Sequence, residues 1–333
     1  MKIAITADPE LPVPPLYYGG IERIIHMLVS GLHQRGHEVT LFAHKDSQVN
    51  CKLIPYTGTG LLNNMLTINR ELLTGRYGLV HSFGRLLYLL PVLPRKIRKI
   101  MSYQREPTLS QIKKATILAG KNTLSFTGCS DYISRQIQPF APAVTIYNGI
   151  ETDRYHFVPV SKDDSPLVFL GRIEPIKGPH IAIDLAKKTG NRLIIAGNIP
   201  VEHQKYFADK IRPHLNADIV YAGPVNDQQK NDLLGQSKAL LMPIQWNEPF
   251  GIVMIEAMAC GTPVIGFNRG AVPEVVDHGK TGFYSNSPDD LVSYIQNINS
   301  IDRSKVRRAV EIRFSAEVIT DQYEALYLKV LGR

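Results

Sequence analysis

The sequence predicts an α/β protein with two doubly wound domains, each built on a parallel sheet. Short β-rich segments alternate with helical patterns along all 333 residues, which is typical of parallel strands joined by helices. The chain is longer than one typical domain and suits two, each large enough for its own core. The alternation pauses once, near residue 150, and we expect the domain boundary there.

The first domain is predicted to span residues 1–150. Its strands and its first helix are expected at KIAITA from Lys2, a helical pattern over residues 21–35, EVTLFA from Glu38, LVHS from Leu79 and KIMSY from Lys99. Near its end Asn148 and Gly149 supply a turn, and a polar stretch follows from Ser161. These turn signals place the boundary after residue 150.

The second domain is predicted over residues 151–315. Its strand sequences are PLVFLG, RLIIAG, DIVYAG, ALLMP and TPVIGF, each followed by helical sequence, with a helix over residues 179–188. The last segment, residues 316–333, is amphipathic. We expect it to form a C-terminal helix that packs back toward the N-terminal domain.

Composition favours an ordinary globular protein. Hydrophobic residues make up 44% and charged residues 20% of the chain, without a signature of disorder. The N-terminal residues enter a strand pattern directly and lack the features of a signal peptide. The three cysteines, Cys51, Cys129 and Cys260, match neither a disulfide framework nor a metal site. We expect a cytoplasmic protein, with peripheral attachment to the inner face of the membrane as a further hypothesis.

The positive charge is confined to the first domain. Residues 1–150 carry 17 Lys and Arg against 8 Asp and Glu, whereas residues 151–333 carry 21 against 22. The excess is either a solvated basic face or a contact with an anionic partner, such as a phosphate-linked acceptor or an anionic membrane. Nucleic acid is disfavoured because no recognised binding motif accompanies the charge. Much of the excess lies in Arg95, Lys96, Arg98, Lys99, Arg105, Lys113 and Lys114.

The most informative segment is NEPFGIVMIEAMACGTPVIG, residues 247–266. A helix beginning near Gly251 would offer the amides of Gly251, Ile252 and Val253 to a phosphate. Glu256 would lie one turn further along the helix, where a carboxylate can accept hydrogen bonds from a hydroxyl pair such as a ribose. Glu248, held on the loop before the helix, would reach the opposite end of the ligand.

A second segment, GRIEPIKG from Gly171, places Arg172 and Lys177 on a loop between a strand and a helix. The alternative interpretation is a pair of surface cations. Cations are poorly placed before a helix N-terminus, where the dipole is positive, so their position favours ligand binding. Two cations here can bind a diphosphate and neutralise the charge that grows as it departs.

Gly19 and Gly20 form a glycine turn at the start of the first helix, where the backbone can approach a ligand closely. An ordinary tight turn would have the same sequence. The preceding loop, residues 8–18, has four prolines and the pair Tyr17 and Tyr18, and we expect it to be stiff and exposed. The dinucleotide fingerprint GxGxxG and the phosphate-binding loop GxxxxGK[ST] are both absent from the sequence, which disfavours dehydrogenases and P-loop enzymes.

His81 ends an apolar strand in GLVHSFGR. A lone histidine is usually structural. The carboxyl end of a strand is nevertheless where open α/β sheets collect functional groups, so we also expect His81 to contact a sugar hydroxyl or a developing charge. The other nine histidines lack metal-ligand spacing, and no metal is expected.

Together these segments resemble the retaining glycosyltransferases of family four, which have the GT-B fold with two Rossmann-like domains facing a cleft. The resemblance covers nearly the whole chain. Its most specific motif is EPFGIVMIE at Glu248, and weaker matches are GGIE at Gly19, VHS at Val80, YNGIETDRY at Tyr147, GRIEPIKG at Gly171, AGPVND at Ala222 and GAVPEVV at Gly270.

The resemblance implies roles for particular residues. Glu256 matches the residue that holds the donor ribose, and Glu248 matches the one that faces the donor sugar. Arg172 and Lys177 match the pair on the donor diphosphate, whose site the three amides complete. Many relatives have H-x-H where this chain has His81, Ser82 and Phe83, so the role of His81 stays open. Further contacts implied by the same motifs are Gly20 on the acceptor side and Gly171, Gly223, Val225 and Phe250 on the donor side.

The implied activity is the transfer of a hexose from a nucleotide sugar, expected to be a UDP-sugar, to a hydroxyl acceptor. Retention, independence of metal ions and the absence of a cofactor are implied as well. The acceptor stays open among lipid-linked saccharides, lipopolysaccharide cores, small metabolites and protein side chains. Alternative functions are a sugar-nucleotide epimerase or phosphorylase on the same scaffold, and a sensor that binds a nucleotide sugar without catalysis.

Overall fold

The computed structural model describes residues 1–16 and 19–332. The chain divides into two compact units. The first unit combines Met1–Ile150 with Ala316–Arg333, and the second is Glu151–Ser315. Tyr17 and Tyr18, which were predicted to lie in an exposed loop, are outside the described residues.

All the strands pair in parallel. They are β1 (Lys2–Thr6), β2 (Glu38–Ala43), β3 (Lys52–Pro55), β4 (Leu79–Ser82), β5 (Arg98–Tyr103), β6 (Leu124–Gly128), β7 (Ala143–Thr145), β8 (Leu167–Leu170), β9 (Leu193–Ala196), β10 (Ile219–Gly223), β11 (Ala239–Met242), β12 (Val264–Phe267) and β13 (Gly282–Ser285). The first seven form the sheet of the first unit and the last six that of the second, within the described ranges.

Helices connect most of these strands. They are α1 (Gly20–Gln34), α2 (Leu61–Thr74), α3 (Leu109–Leu118), α4 (Asp131–Ile137), α5 (Pro179–Thr189), α6 (Gln204–Lys210), α7 (Asp227–Gln236), α8 (Ile252–Ala259), α9 (Val272–Val275), α10 (Pro288–Gln296), α11 (Arg303–Arg313) and α12 (Ala316–Leu331). A 3-10 helix, Leu86–Val92, joins β4 to β5. The predicted fold class, two doubly wound α/β domains, is confirmed.

In each sheet the strands that follow the first one in sequence lie on one side of it, and the later strands lie on its other side, so the strand order reverses there. The strand order is β3-β2-β1-β4-β5-β6-β7 in the first unit and β10-β9-β8-β11-β12-β13 in the second. The reversals fall between β1 and β4 and between β8 and β11. Loops at the carboxyl ends of strands diverge at such a reversal and leave room for a ligand.

The C-terminal helix belongs to the first unit, as predicted. In α12, Thr320 packs so closely on α1 that a side-chain carbon placed on Gly31 would lie 2.7 Å from Thr320 Oγ1. Arg35 lies 2.7 Å from Glu324 and 2.6 Å from Asp321. Both the small residue and the ion pairs hold α12 against α1.

The basic cluster of the first unit differs from the prediction at Lys99. Its side chain is buried, and Nζ donates to the carbonyls of Val92, Leu93 and Arg95 at 3.0, 3.0 and 2.7 Å. Burial lowers the pKa of Lys99 to about 8. Lys99 therefore caps the 3-10 helix from inside the unit and is not part of a solvated basic face.

No helix within residues 1–16 and 19–332 is long and apolar enough to cross a membrane.

Candidate active site

The predicted donor residues lie on loops at the carboxyl edge of the second sheet. Arg172 and Lys177 follow β8, and Glu248 follows β11, so these residues lie on the two sides of the strand-order reversal. Gly223 ends β10, and the loop from Arg269 follows β12. Residues separated by about a hundred positions in the sequence thus meet at one edge of one sheet.

The centre of this edge is an ion pair between Lys177 and Glu248. Lys177 Nζ donates to Glu248 Oε2 at 2.6 Å, and Trp246 Nε1 donates to the same oxygen at 3.1 Å. The ammonium also lies 4.7 Å from the centre of the Trp246 ring, within range of a cation–π contact. Both charged side chains are largely buried, at 19% and 11% exposed. The sequence predicted Lys177 and Glu248 individually, but it predicted neither their contact nor Trp246.

The backbone of Glu248 is held by the glycine loop that follows β12. Ala271 N donates to Glu248 O at 2.9 Å. A side-chain carbon on Gly270, which has φ of +55°, would lie 2.3 Å from Glu248 O and 2.4 Å from Glu248 N. The left-handed backbone and the close approach both require glycine at this position. The loop therefore fixes where Glu248 projects.

Glu256 is held by two side chains from other elements. Lys230 Nζ of α7 lies 2.5 Å from Glu256 Oε1, and the Tyr155 hydroxyl donates to the same oxygen at 2.8 Å. Glu256 is buried, on the second turn of α8. A buried carboxylate needs such partners, because an unpaired charge there would be costly. Neither Lys230 nor Tyr155 was predicted as a site residue.

The two carboxylates share a pattern of use. Each is anchored through one oxygen, Oε2 in Glu248 and Oε1 in Glu256. The remaining oxygens, Glu248 Oε1 and Glu256 Oε2, accept no hydrogen bond from the part of the chain that the structure describes, and neither is a buried unpaired atom. Each carboxylate can therefore accept a hydrogen bond from a ligand without losing the contacts that orient it.

Helix α8 begins between the two carboxylates. Gly251, with φ of +81°, is the residue before the first turn, and Ile252 and Val253 begin the helix. The three predicted amides thus lie at a helix N-terminus, where backbone N–H groups and the helix dipole favour an anion. Phe250 is different, because its side chain is buried in edge-to-face contact with Phe314. Any contact of Phe250 with a ligand would have to come from its backbone.

Arg172 forms an ion pair with a neighbouring carboxylate. Its Nη2 lies 2.9 Å from Glu174 Oε1, but within the described residues neither Glu174 Oε1 nor the buried Arg172 Nε makes a hydrogen bond. Glu174 is itself buried, with His203 Nε2 at 3.7 Å from its other oxygen. Within the described residues, no hydrogen bond or ion pair joins Arg172 to Lys177 or Glu248. The two predicted cations therefore depend on different carboxylates.

Tight backbone contacts shape the loops around these side chains. A side-chain carbon on Gly197 would lie 1.8 Å from Gly171 O, and one on Gly178 would lie 2.1 Å from Pro243 O. Gly197 N also donates to Gly223 O at 2.8 Å, which joins the ends of β9 and β10. Val225 lies between Gly223 and the capping residue of α7. The predicted residues Gly171, Gly223 and Val225 thus belong to the same edge of the sheet.

His81 corrects the prediction for the first unit. Its side chain is fully buried, with Nδ1 2.6 Å from the Tyr327 hydroxyl and Nε2 2.6 Å from Ser102 Oγ. Burial lowers its pKa to about 3. The expectation that the ring points out of the strand end toward a sugar is wrong, since α12 covers it and both nitrogens are bound by the protein. His81 joins α12 to the sheet.

Gly20 is the first residue of α1, after Gly19 with φ of +155°. A side-chain carbon on Gly19 would lie 2.7 Å from Pro15 and 2.8 Å from Glu22 Oε2. Glu22 is buried, and burial raises the pKa of its carboxyl group. The predicted glycine turn is therefore packed tightly against a carboxylate.

Within residues 1–16 and 19–332, no group of three or more His, Cys, Asp or Glu side chains is arranged to hold a metal ion.

Two family models match successive parts of the chain. Residues 18–154 match the model described as Glycosyltransferase Family 4, and residues 151–311 match the one described as Glycosyl transferases group 1. The chain is a family-four-like glycosyltransferase. Both the fold and the enzyme class predicted from the sequence are therefore confirmed.

Some relatives of this glycosyltransferase match it over more than nine tenths of its length, and others over about half. It is 25% identical to spore coat protein SA of Bacillus subtilis strain 168, over 92% of each chain. Among solved structures it resembles AviGT4, a glycosyltransferase involved in avilamycin A biosynthesis, with 25% identity, a TM-score of 0.74 and coverage of 99% and 98%. It also shares the fold of HepE from Anabaena, solved with UDP and glucose, at 18% identity, a TM-score of 0.76 and coverage of 99% and 100%.

Signals for some of the missed residues were present in the sequence. Trp246 is the single tryptophan of the chain and stands two residues before Glu248. Tyr155 ends the motif YNGIETDRY, which was recognised as a whole but not residue by residue. Lys230 lies in the polar sequence of α7, and nothing distinguishes it there from a surface lysine.

Proposed function

We propose that this glycosyltransferase moves a hexose from a UDP-sugar to a hydroxyl acceptor, with retention of the anomeric configuration and without a divalent cation. The observation that carries the proposal concerns Glu248 and Glu256, on either side of the start of α8. Within the described residues, each accepts hydrogen bonds through only one of its two carboxylate oxygens. A nucleotide sugar has a hydroxyl-rich group at each end and an anionic diphosphate in the middle. The order of carboxylate, helix N-terminus and carboxylate is complementary to it.

In this proposal each part of the donor has its own partner. Glu256 Oε2 accepts from the ribose hydroxyls, and the amides at the start of α8 bind the diphosphate. Lys177 keeps one N–H on Glu248 and donates the others to the diphosphate, which Arg172 also contacts. Glu248 Oε1 accepts from a hydroxyl of the hexose. The complex of HepE with UDP and glucose supports uridine as the base, since that protein shares this fold.

The chemical step forms one bond at the anomeric carbon and breaks another. The acceptor oxygen attacks C1, the bond from C1 to the diphosphate oxygen breaks, and its electron pair leaves with the nucleoside diphosphate. The acceptor proton passes to the departing oxygen on the same face of the sugar. The products are the glycoside and the nucleoside diphosphate. Because the acceptor supplies the proton that the departing oxygen takes up, the protein does not have to donate one.

The cations have the main role in the rate. Negative charge grows on the diphosphate as the bond to C1 breaks, and Lys177 and Arg172 stabilise it more in the transition state than in the bound donor. This is the task that a divalent cation performs in other transferases. We therefore propose that the reaction proceeds without one.

The acceptor is proposed to bind to the first unit, as the resemblance to family four implies. The positive charge of that unit supports an anionic or lipid-linked acceptor. A lipid-linked acceptor would also bring the enzyme to an anionic membrane surface.

A panel of UDP-, GDP- and ADP-sugars tests the donor. Trp246 is the only tryptophan and donates to Glu248, so its fluorescence should change when a donor binds. We expect one UDP-sugar to give saturable binding and slow hydrolysis. Saturation by a GDP- or ADP-sugar alone would refute the choice of base.

The products of that donor test the reaction class. Proton NMR should show release of the sugar or its glycoside with the anomeric configuration of the donor, at a rate unchanged by EDTA. Inversion, or loss of turnover with EDTA that Mg²⁺ restores, would contradict the mechanism. Conversion of the donor to an epimer, phosphate-dependent cleavage or binding without any turnover would instead support the epimerase, phosphorylase or sensor alternatives.

A further inference from the structure

The first unit has an exposed apolar face that the proposed function does not use. Crossovers between parallel strands are right-handed, so their direction along the sheet decides which face their helix covers. The connection from β1 to β2, which contains α1, lies on one face of the sheet. The connections from β3 to β4, from β4 to β5 and from β5 to β6 run in the opposite direction and lie on the other face. The second face therefore holds α2, the 3-10 helix Leu86–Val92 and α3. These elements pack against one another in sequence.

Leucines on this face point into solvent. Leu62, Leu66 and Leu73 of α2 are 67%, 64% and 52% exposed. Their spacing of four and seven residues places them in a stripe about 40° wide on the helix, at 100° per residue. Leu87 and Leu90 are also exposed, and their spacing of three places them on one side of the 3-10 helix. Asn69 Nδ2 donates to Tyr88 O at 3.1 Å and ties the two helices together.

Cations border the leucines. Arg70 lies between Leu66 and Leu73 on α2, about 40° from the edge of the leucine stripe at 100° per residue, and Arg95 and Lys96 follow the 3-10 helix. All three are exposed, and none forms an ion pair with a residue that the structure describes. We call Leu62, Leu66, Leu73, Leu87 and Leu90, together with Arg70, Arg95 and Lys96, the basic leucine face.

Most of the positive charge of the first unit lies in the segment that carries this face. Residues 61–121 contain eleven Lys and Arg against two Glu. Of the eleven, Lys99 is buried, and Arg85 and Arg105 are paired with Glu10 and Asp8. The other eight still outnumber the two acids, so this segment has a net positive charge.

We propose that the basic leucine face docks on the surface of an anionic lipid bilayer. The leucines insert at the boundary between headgroups and acyl chains, while the cations contact the lipid phosphates. Neither component is sufficient alone, because stable peripheral attachment requires two signals of this kind. This inference is independent of the donor site in the second unit.

Other partners fit the face less well. A second copy bound through the same face would bring Arg70, Arg95 and Lys96 against their own counterparts, with repulsion between like charges. A nucleic acid backbone would satisfy the cations but leave five leucines unburied, since such interfaces are strongly polar. An anionic bilayer satisfies the cations and the leucines together.

Flotation of the full chain with two kinds of vesicle tests the proposal. One is pure phosphatidylcholine, and in the other roughly one third of the lipid is phosphatidylglycerol. We expect binding to the anionic vesicles only, and weaker binding as salt is raised. Equal binding to both, or binding to neither, would overturn the proposal.

Two triple variants separate the components. Arg70→Gln with Arg95→Gln and Lys96→Gln should lower the partition coefficient about a hundredfold at low salt, at about fivefold for each cation. Leu62→Ser with Leu66→Ser and Leu73→Ser should lower it by roughly tenfold or more, and most visibly at high salt, where only apolar insertion persists.

Matched controls come from exposed residues of the second unit. Lys205→Gln with Lys305→Gln and Arg308→Gln removes the same charge, and Val160→Ser with Val201→Ser and Ile312→Ser removes exposed apolar side chains. We expect all four variants to bind the donor with unchanged Trp246 fluorescence, which verifies the fold. Equal losses in the controls would refute the assignment of the face. A dimer in solution that the leucine variant dissociates would also refute it, because a second copy would then cover the leucines.

Discussion

Lys177 Nζ lies 2.6 Å from Glu248 Oε2 across the strand-order reversal of the second sheet. The lysine is carried by the loop after β8 and the glutamate by the loop after β11. Both side chains are largely buried, so each reduces the cost of keeping the other charged there. In the proposed function Lys177 binds the donor phosphate and Glu248 the donor sugar, so this single contact would orient both groups.

The first prediction concerns Lys177 itself. Lys177→Ala should lower kcat/KM about 10²-fold to 10³-fold, because it removes a cation that stabilises the leaving diphosphate and leaves Glu248 without its main partner. The measurement is steady-state transfer or donor hydrolysis, with Trp246 fluorescence as an independent titration of donor binding. The loss should be larger in kcat than in donor affinity, since the contact strengthens in the transition state.

Lys188→Ala is the matched control, since Lys188 lies on the following helix, α5, and is 57% exposed. Its kinetics should equal those of the wild type within a factor of about two, as expected for a surface substitution. Normal transfer by Lys177→Ala would contradict the proposed mechanism, and unfolding of that variant would show as a lost thermal transition.

The second prediction concerns the contact between Tyr155 and Glu256. Tyr155→Phe removes one of the two donors on Glu256 Oε1 and keeps the ring. The carboxylate should then be less well oriented toward the ribose, and the KM for the donor should rise about fivefold to tenfold, which corresponds to roughly 1 to 1.4 kcal/mol, the net value of one ordinary hydrogen bond. Because the reacting atoms are distant from the ribose, kcat should change little.

A 2′-deoxy donor gives this prediction a specific readout. Wild-type enzyme should discriminate against the deoxy sugar nucleotide, because Glu256 loses a hydrogen bond that the normal donor provides. Tyr155→Phe should discriminate less. If the variant raised KM equally for both donors, Tyr155 would have only a general structural role.

The third prediction tests how Glu248 is positioned. Gly270→Ala places a methyl group 2.3 Å from Glu248 O, so the loop that carries Glu248 must move. We expect a loss of stability of about 2 kcal/mol or more, together with a fall in kcat/KM of at least tenfold. Thermal unfolding and donor hydrolysis measure the two effects.

Gly279→Ala separates the two causes. Gly279 has φ of +75°, close to the left-handed φ of Gly270, but a side-chain carbon there meets nothing within 4 Å. This variant should lose about 1 kcal/mol from backbone strain alone and keep its activity. Equal kinetics in the two alanine variants would show that Glu248 does not depend on Gly270.

Local patterns were sufficient for most of the fold. The residues predicted for α12 and for the strands around Leu167 and Val264 form those elements, because their hydrophobic periodicity agrees with how they are buried. Four strands were not predicted, namely β3 (Lys52–Pro55), β6 (Leu124–Gly128), β7 (Ala143–Thr145) and β13 (Gly282–Ser285). Three of them, β3, β7 and β13, are short edge strands whose backbone pairing is supplied by one neighbour from elsewhere in the chain, whereas β6 lies inside its sheet.

The candidate site was predicted as single residues and not as contacts. Lys177 and Glu248 were identified by position in two motifs, yet their ion pair joins loops 71 positions apart. Lys230 reaches Glu256 from a helix of mostly polar sequence, so no periodicity distinguishes it. The prediction for His81 was wrong because Tyr327, the residue of α12 that contacts its ring, is 246 positions away in the sequence. A sequence pattern predicts a helix or a strand, whereas the contacts of a side chain depend on how distant segments of the chain pack together.

The last prediction follows from the burial of His81. Its ring is neutral in the folded protein down to a pKa of about 3, whereas in the unfolded chain it is protonated below about 6.5. Unfolding therefore takes up a proton between these values, and stability should fall as the pH is lowered, by up to about 1.4 kcal/mol per pH unit from this group. His81→Gln should have a smaller pH slope in urea unfolding between pH 6.5 and 4, whatever its stability at pH 7. His33→Gln, at an exposed position of α1, should keep the wild-type slope. An unchanged slope in His81→Gln would mean that the buried ring is not neutral, and the contacts with Tyr327 and Ser102 would then have to be assigned to an imidazolium.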